Sequence, residues 1–163
     1  MSNITAAVIT VDSRVVNGIK EDGGARMAVE LLSQAGIMVV HQAIIDDEAA
    51  PLRGEFDRAR GAGARLVVTV GSTGVSARNI VPETTAAICD IQLPGVAQQI
   101  FAEGLKSTPL AGLSRGIVGI TSRTSQGAVI VNAPSRVPAV ADALNVLIPL
   151  LPYIYDQMDQ TEI

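Results

Sequence analysis

The chain has 163 residues, of which 17% are charged and 48% hydrophobic, and its formal net charge is −4. That length suits one domain spanning residues 1–163 with a core of its own, and the acidic balance leaves no basic footprint for nucleic acid. Charged residues fall below the roughly one quarter of an average protein, so a monomer keeps apolar surface that self-association would cover.

Ile4 to Val11 is apolar and ends in β-branched residues, which predicts a central strand closing at Asp12-Ser13. No basic stretch, apolar core and small-residue cleavage site precede it, so no secretory leader is expected. Asn17-Gly18 marks a turn. Ala28, Leu31, Leu32 and Ala35 then recur at i, i+3, i+4 and i+7, the period of an amphipathic helix that Gly36 closes. Ile37 to Ile45 predicts a second strand, ended by the acidic run Asp46-Asp47-Glu48, and completes a βαβ unit. Pro51 suits the first turn of the next helix, where Leu52, Phe56 and Ala59 share a face and Arg53 with Asp57 forms an i, i+4 pair. Gly61 and Gly63 end it.

Leu66, Val67, Val68 and Val70 form a short apolar run of the kind found in a strand covered on both faces, and Gly71 breaks it. Gly71 and Gly74 permit positive φ and close backbone approach. The turn can therefore aim N–H groups and the Ser72, Thr73 and Ser76 hydroxyls at an anion, although the same residue types also make ordinary turns. Pro82 and Glu83 open a third helix. Leu93-Pro94-Gly95 leads into another, Val96 to Leu105, with Val96, Ile100 and Phe101 facing inward. Gly116 to Thr121 and Ala128 to Asn132 read as strands joined by about six residues, too few for a parallel crossover, so one runs antiparallel and the sheet is mixed. Val137, Val140, Ala141, Leu144, Leu147, Ile148 and Leu151 keep a helical period. Asp142, Asn145 and Pro149 interrupt them within a run too short for a bilayer, which predicts a core helix and no membrane span. After Pro152, Tyr153 and Tyr155 precede polar residues, as in a short terminal helix or a frayed tail.

In an alternating α/β chain the ligand crevice lies at the carboxyl ends of the strands, here Asp12-Ser13, Asp46-Asp47, Gly71 to Asn79 and Asn132. No stretch supplies a GxGxxG fingerprint after a strand, and no lysine lies near the Gly71 turn, the closest in order being Lys106, so neither dinucleotide binding nor Walker-type ATP hydrolysis is expected. Asp46 and Asp47 can hold a hard divalent ion such as Mg²⁺, or form a solvated loop that caps the next helix. Asp12-Ser13 reads either as a turn or as a polar ligand. Arg78 suits a phosphate or a neighbouring carboxylate. His41 lies within the second strand with no second histidine to build a cluster, and a structural role is expected. Cys89, the one cysteine, fits helix packing better than nucleophilic catalysis and forms no internal disulfide, in keeping with a reducing, cytoplasmic location.

Gly71-Ser72-Thr73-Gly74-Val75-Ser76-Ala77-Arg78-Asn79-Ile80-Val81-Pro82-Glu83 resembles the Gly-Gly-Thr-Gly-x-x-x-Arg-Asp-x-Thr-Pro-Glu signature of the molybdopterin-binding proteins of molybdenum cofactor biosynthesis. The likeness runs along nearly the whole chain, through Asp12-Ser13, Glu21-Asp22, Asp46-Asp47, Leu93-Pro94-Gly95, Thr108-Pro109-Leu110-Ala111 and Leu113-Ser114-Arg115. Val131-Asn132-Ala133-Pro134-Ser135 is similar to the family's Val-Asn-Leu-Pro-Gly-Ser segment.

The resemblance implies a three-layer α/β/α fold with a mixed, mostly parallel five-stranded sheet, one strand antiparallel, and a homotrimer or homohexamer. It implies molybdopterin, a pterin phosphate, as ligand, and Mg-ATP as the source of an AMP group transferred to the terminal phosphate with release of pyrophosphate. Carried onto this chain it makes Asp47 and Asn79 the catalytic positions and Asp46 and Asp47 the metal positions. Asp12, Ser13, Gly71, Ser72, Thr73, Gly74, Ser76, Arg78, Pro82, Glu83, Asn132, Pro134 and Ser135 become the binding residues.

Four departures fall in the same places. Asn79 stands for the signature aspartate, Ser72 for its second glycine, Val81 for its threonine, and Ser135-Arg136 for Gly-Ser. Asparagine keeps an acceptor oxygen but carries no negative charge, so it holds a divalent ion less well. Two functions follow from the resemblance, an adenylyltransferase and a non-catalytic pterin-binding or oligomeric assembly protein of the same pathway.

Overall fold

A computed structural model describes residues 3–160. The first half alternates strand and helix: β1 (Thr5–Val11), a single turn α1 (Ser13–Val16), α2 (Gly23–Gln34), β2 (Met38–Ile45), α3 (Ala49–Gly61) and β3 (Leu66–Val70). The second half runs α4 (Val81–Ile88), β4 (Ile91–Gln92), α5 (Pro94–Leu105), β5 (Val118–Ile120), β6 (Val129–Ala133), α6 (Val137–Leu147) and α7 (Leu151–Asp159).

The strands form one six-stranded sheet in the order β2-β1-β3-β6-β5-β4. β2, β1, β3 and β6 are parallel neighbours, and β5 runs antiparallel to both β6 and β4. The expected single antiparallel strand is therefore β5. The sixth strand is the two-residue β4, which the sequence reading lacks because so short an edge has no period to detect.

Alternation along the strands divides the interior into two cores. Ala6, Val8, Leu66, Val68, Val129 and Val131 face one way, against Ala28 and Leu32 of α2 and Val140, Leu144 and Leu147 of α6. Ala7, Ile9, Val67 and Ile130 face the other, against Leu52, Phe56 and Ala59 of α3 and Val81 of α4. β3 is buried at all five positions because both layers cover it, which explains why Thr69 is its one polar residue.

Several local expectations are corrected. Asp57 pairs with Arg60 at 2.8 Å, three residues on, in place of Arg53. Phe101 does not pack inward but is 43% exposed, while Ile100 and Val96 do join the core. The long last helix is two helices joined by a 3₁₀ turn at Ile148–Leu150. Pro149 and Pro152 remove the N–H donors needed to continue a single ladder. Val137–Asp159 is long and apolar enough to cross a bilayer, yet its buried stripe is occupied by the sheet core. After Pro152 the chain stays helical: Tyr155 Oη donates to the Arg65 carbonyl at 2.7 Å, and the Arg65 guanidinium lies 4.6 Å from the ring centre. The last three residues of the polar tail lie outside the described residues. His41 has the structural role expected, with Nε2 2.6 Å from Glu55 of α3.

One buried polar group ties the second half together. Asn132 Nδ2 donates to Thr69 Oγ1 and to Thr85 Oγ1, both at 3.0 Å, and Asn132 Oδ1 accepts the Ile117 N–H at 3.1 Å. β6, β3, α4 and the approach to β5 thus share one amide. Asn132→Ala leaves a buried N–H and two threonine hydroxyls without this partner, so urea unfolding is expected to show a loss of about 2–4 kcal/mol. Thr5→Ala, whose hydroxyl meets the exposed Gly63 carbonyl, is expected to cost about 1 kcal/mol or less. Equal costs would contradict this account.

Candidate functional site

The carboxyl ends of β1, β3 and β6 lie side by side, since Thr10 pairs with Val70 and Val70 with Ala133. After β1 the chain goes outward to β2, and later strands add on the opposite side, so the site occupies the switch point of the sheet. Gly71 opens the loop there at φ +99°. A Cβ on it would sit 2.5 Å from the Val11 carbonyl oxygen, and its own N–H donates to the Ala133 carbonyl at 2.8 Å. No side chain fits at that position.

Ser72 follows at φ +58°, a left-handed conformation that L-residues other than glycine and asparagine seldom adopt. Its hydroxyl offsets part of that cost by accepting the Ile80 N–H at 3.1 Å, with the Arg78 carbonyl 3.5 Å away. The backbone conformation explains why a glycine suits this place, and the hydroxyl explains how serine is accommodated. Gly74 lies against Asn79, whose Oδ1 would be 2.7 Å from an added Cβ.

Arg115 holds the whole loop from behind. Its backbone N–H donates to the Thr73 carbonyl at 2.8 Å, Nε to the Gly74 carbonyl at 2.8 Å and Nη2 to the Asn79 carbonyl at 3.1 Å, while Nη1 pairs with Glu83. The hydrogen bond from Arg115, with its charge as a smaller cause, holds the Glu83 carboxyl below its ordinary value. Ser114 Oγ adds a 3.4 Å contact to Thr73 Oγ1.

Two cavities meet at this loop. The larger, about 340 Å³, runs from Ser72, Thr73 and Ser135 to Ile100 and Phe101 of α5 and Asp142 of α6. The smaller, about 180 Å³, is lined by Asp12, Ser13, Asp47, Ser76 and Arg78. Arg14, Ser72 and Asn79 line both and form the partition between them.

The acidic groups differ in what engages them. Burial pushes the Asp12 carboxyl up, but Arg14 Nε and Nη2 at 3.0 and 2.8 Å and the Arg14 N–H at 3.0 Å outweigh it, with Lys20 beyond, and hold it low. Asp47 Oδ2 accepts the Ser13 N–H at 3.2 Å. Asp46 accepts the Asp47 N–H and pairs with Arg78 at 3.3 Å, outside both cavities. Of the two partners open to Arg78, the structure gives it the carboxylate. Among the described residues no three histidine, cysteine or acidic side chains converge as a metal cluster.

The site residues read from the sequence thus separate. Asp12, Ser13, Asp47, Ser72, Ser76, Arg78 and Asn79 meet around the smaller cavity, and Ser72, Thr73, Gly74, Asn79, Asn132, Pro134 and Ser135 around the larger. Gly71, Pro82 and Glu83 line neither and shape the loop. Asn132 borders the cleft, although its amide is committed to structural partners. Arg14, Arg115 and the α5 and α6 walls were not singled out in the sequence. Arg14 follows the recognised Asp12-Ser13 pair directly and Arg115 closes a matched segment, so position in a motif was the available signal.

Residues 7–153 match a family model described as "Probable molybdopterin binding domain". A molybdopterin adenylyltransferase from Helicobacter pylori (strain J99) is 30% identical over 162 residues, covering 96% of this chain and 88% of the relative. The crystal structure of a molybdopterin biosynthesis protein from Mycobacterium abscessus superposes with a TM-score of 0.85 at 32% identity, over 98% of each chain. That of a tungsten cofactor synthesizing protein from Pyrococcus furiosus superposes at 0.89 over 98% of this chain and 99% of that one, and at 24% identity it speaks to the fold.

Replacing Arg115 by alanine frees the Gly74 and Asn79 carbonyls and Glu83. Because Arg115 is part-exposed, the expected global cost is about 1 kcal/mol. Amide hydrogen exchange between Ser72 and Asn79 should nonetheless rise while that of β3 stays slow, and Arg115→Lys should restore protection only in part. Unchanged loop exchange would rule out the clamp. The low Asp12 pKa predicts a pH effect of definite sign. A carboxyl that titrates lower folded than unfolded contributes its full stability above about pH 4 and loses it as the pH falls through the depressed value. Arg14→Ala removes the counteracting guanidinium, so the variant is expected to have a lower Tm near neutral pH and a smaller further fall in Tm than the wild type as the pH drops below about 4. Superimposable acid profiles would contradict the assignment.

Proposed function

The chain belongs to the molybdopterin-binding family of molybdenum cofactor biosynthesis, and from that membership we propose that it binds molybdopterin, with the phosphate at the Ser72 loop and the pterin in the larger cleft. The observation that carries this reading is the loop itself: glycine-tight, left-handed at Ser72 and fixed by Arg115 at the mouth of a cavity of about 340 Å³. Arg14 and the Ser135 hydroxyl, 3.5 Å apart, add a cation and a donor at the same end.

The adjoining smaller cavity suits the phosphates of a nucleotide. Mg²⁺ commonly binds through one or two carboxylates, ligand phosphates and water, and Asp47 has one carboxylate oxygen without a protein partner among the described residues. Asp47 is therefore the residue that would hold the ion, with Asn79 as a neutral neighbour lining the same cavity. Asp12 and Asp46 are engaged by arginines and serve to orient the site. When bound, the ion would neutralise phosphate charge during AMP transfer, and the chain's own part is to align the two phosphates.

Asn79 lies where both cavities meet, so a missing negative charge there acts on transfer more than on binding. In this reading the protein retains pterin binding and carries out Mg-ATP-dependent adenylylation slowly; a purely pterin-carrying or assembly role is the limit of the same trend. Exposed Val75, Leu105, Leu110 and Leu113 are consistent with self-association into the trimer or hexamer expected from the resemblance.

The test compares wild type and Asn79→Asp for molybdopterin binding, by ligand fluorescence, and for Mg²⁺-dependent AMP transfer. Both are expected to bind, and the aspartate variant is expected to transfer AMP about tenfold faster or more, equivalent to ~1.4 kcal/mol of transition-state stabilisation. A wild-type rate matching that of an aspartate-bearing relative would overturn impaired catalysis. Absence of pterin binding would overturn the reading as a whole.

A further inference from the structure

The larger cleft has an end that phosphate binding does not use. Beyond the Ser72 loop its lining includes Ala97, Ile100 and Phe101 of α5 and Ala139 of α6, with Ser107, Thr108 and Arg136 as polar neighbours, and the one carboxylate among the lining residues is Asp142. Asp142 stands one helical turn after Ala139, so α6 presents both residues to the cleft from the same face. Among the described residues it makes no ion pair or hydrogen bond. Lys106 is instead bound to Glu103 at 2.9 Å, and Arg136 lies beyond ion-pair distance. Burial, together with the Glu103 charge, pushes the Asp142 carboxyl above its ordinary value in spite of both cations.

A part-buried carboxylate without a protein partner carries a desolvation penalty, and a ligand that donates hydrogen bonds to it removes that penalty. A flat heterocycle fits the walls. The pyrimidine half of a 2-amino-4-oxopterin places a ring N–H beside an exocyclic NH₂, a spacing that two carboxylate oxygens accept together, as they do the fork of a guanidinium. We propose that Asp142 receives the amino and ring N–H edge of the pterin and is the residue that selects a 2-amino-4-oxopteridine over other flat phosphorylated ligands. This inference rests on the reading of the cleft as a pterin phosphate site. It makes the cleft a two-ended device, with hydroxyls and Arg14 for the phosphate and a single carboxylate for the far edge of the ring.

The experiment measures binding of three probes to wild type, Asp142→Asn and Asp142→Glu: a 2-amino-4-oxopteridine carrying a phosphate side chain, the same compound lacking the 2-amino group, and inorganic pyrophosphate. Asp142→Asn should bind the aminopteridine at least about tenfold more weakly, as expected for loss of charge-assisted hydrogen bonds. It should bind the deamino compound and pyrophosphate as the wild type does. Asp142→Glu, which keeps the charge but displaces it, should fall between. Since no internal bond is lost, the Tm of Asp142→Asn should be unchanged or raised, whereas a structural role for the carboxylate would lower it. Equal aminopteridine affinity in wild type and Asp142→Asn overturns the assignment while leaving the cleft a pterin site. Failure of the wild type to bind either pteridine removes the premise and overturns both.

Discussion

A single buried amide organises the half of the molecule that carries the candidate site. Asn132 joins Thr69 in the middle of the sheet, Thr85 in the helix behind the loop and the backbone just before the antiparallel strand. In a largely aliphatic interior, where Thr69 Oγ1 has only the Val131 carbonyl at 3.4 Å besides Asn132, these donors and acceptors favour one register among four elements. The Gly71 loop leaves β3 two residues after Thr69, and its geometry is inherited from that junction.

Arg115 transmits the same order outward. It follows the 3₁₀ turn at Pro109–Leu113 and reaches across to three carbonyls and a carboxylate of the loop, replacing with protein donors the solvent that such a loop would otherwise use. The loop is thereby presented as a preformed edge, which lowers the ordering cost of any phosphate that meets it. Asn79 lines both cavities, so this neutral residue stands where the two spaces meet.

Much of the fold was legible because its signals are local. The largely apolar β3, the α2 period at Ala28 and Leu32, and the short link between β5 and β6 each follow from spacing alone, and each is present. The misses have equally plain causes. β4 is too short to show a period, Phe101 looked like core because hydrophobicity does not report a cleft, and Pro149 with Pro152 split a helix whose apolar stripe ran through them. Of the candidate site, the loop and the ends of β1 and β6 were readable as strand termini. That Asp46 turns to Arg78 while Asp47 faces the cavity was not, since both occupy the same loop and only packing separates them.

The sequence by itself determined the alternation of strand and helix, the mixed sheet and the positions at which glycine and hydroxyl residues crowd one strand end, because these depend on neighbours within a few residues. Tertiary structure alone decided which carboxylates remain free, that Ser72 must adopt a left-handed backbone, and that Arg115 and Asp142 belong to the site at all. Those outcomes arise from contacts between residues tens of positions apart, where burial and the nearest opposite charge set each group's role, and no local pattern encodes such distances.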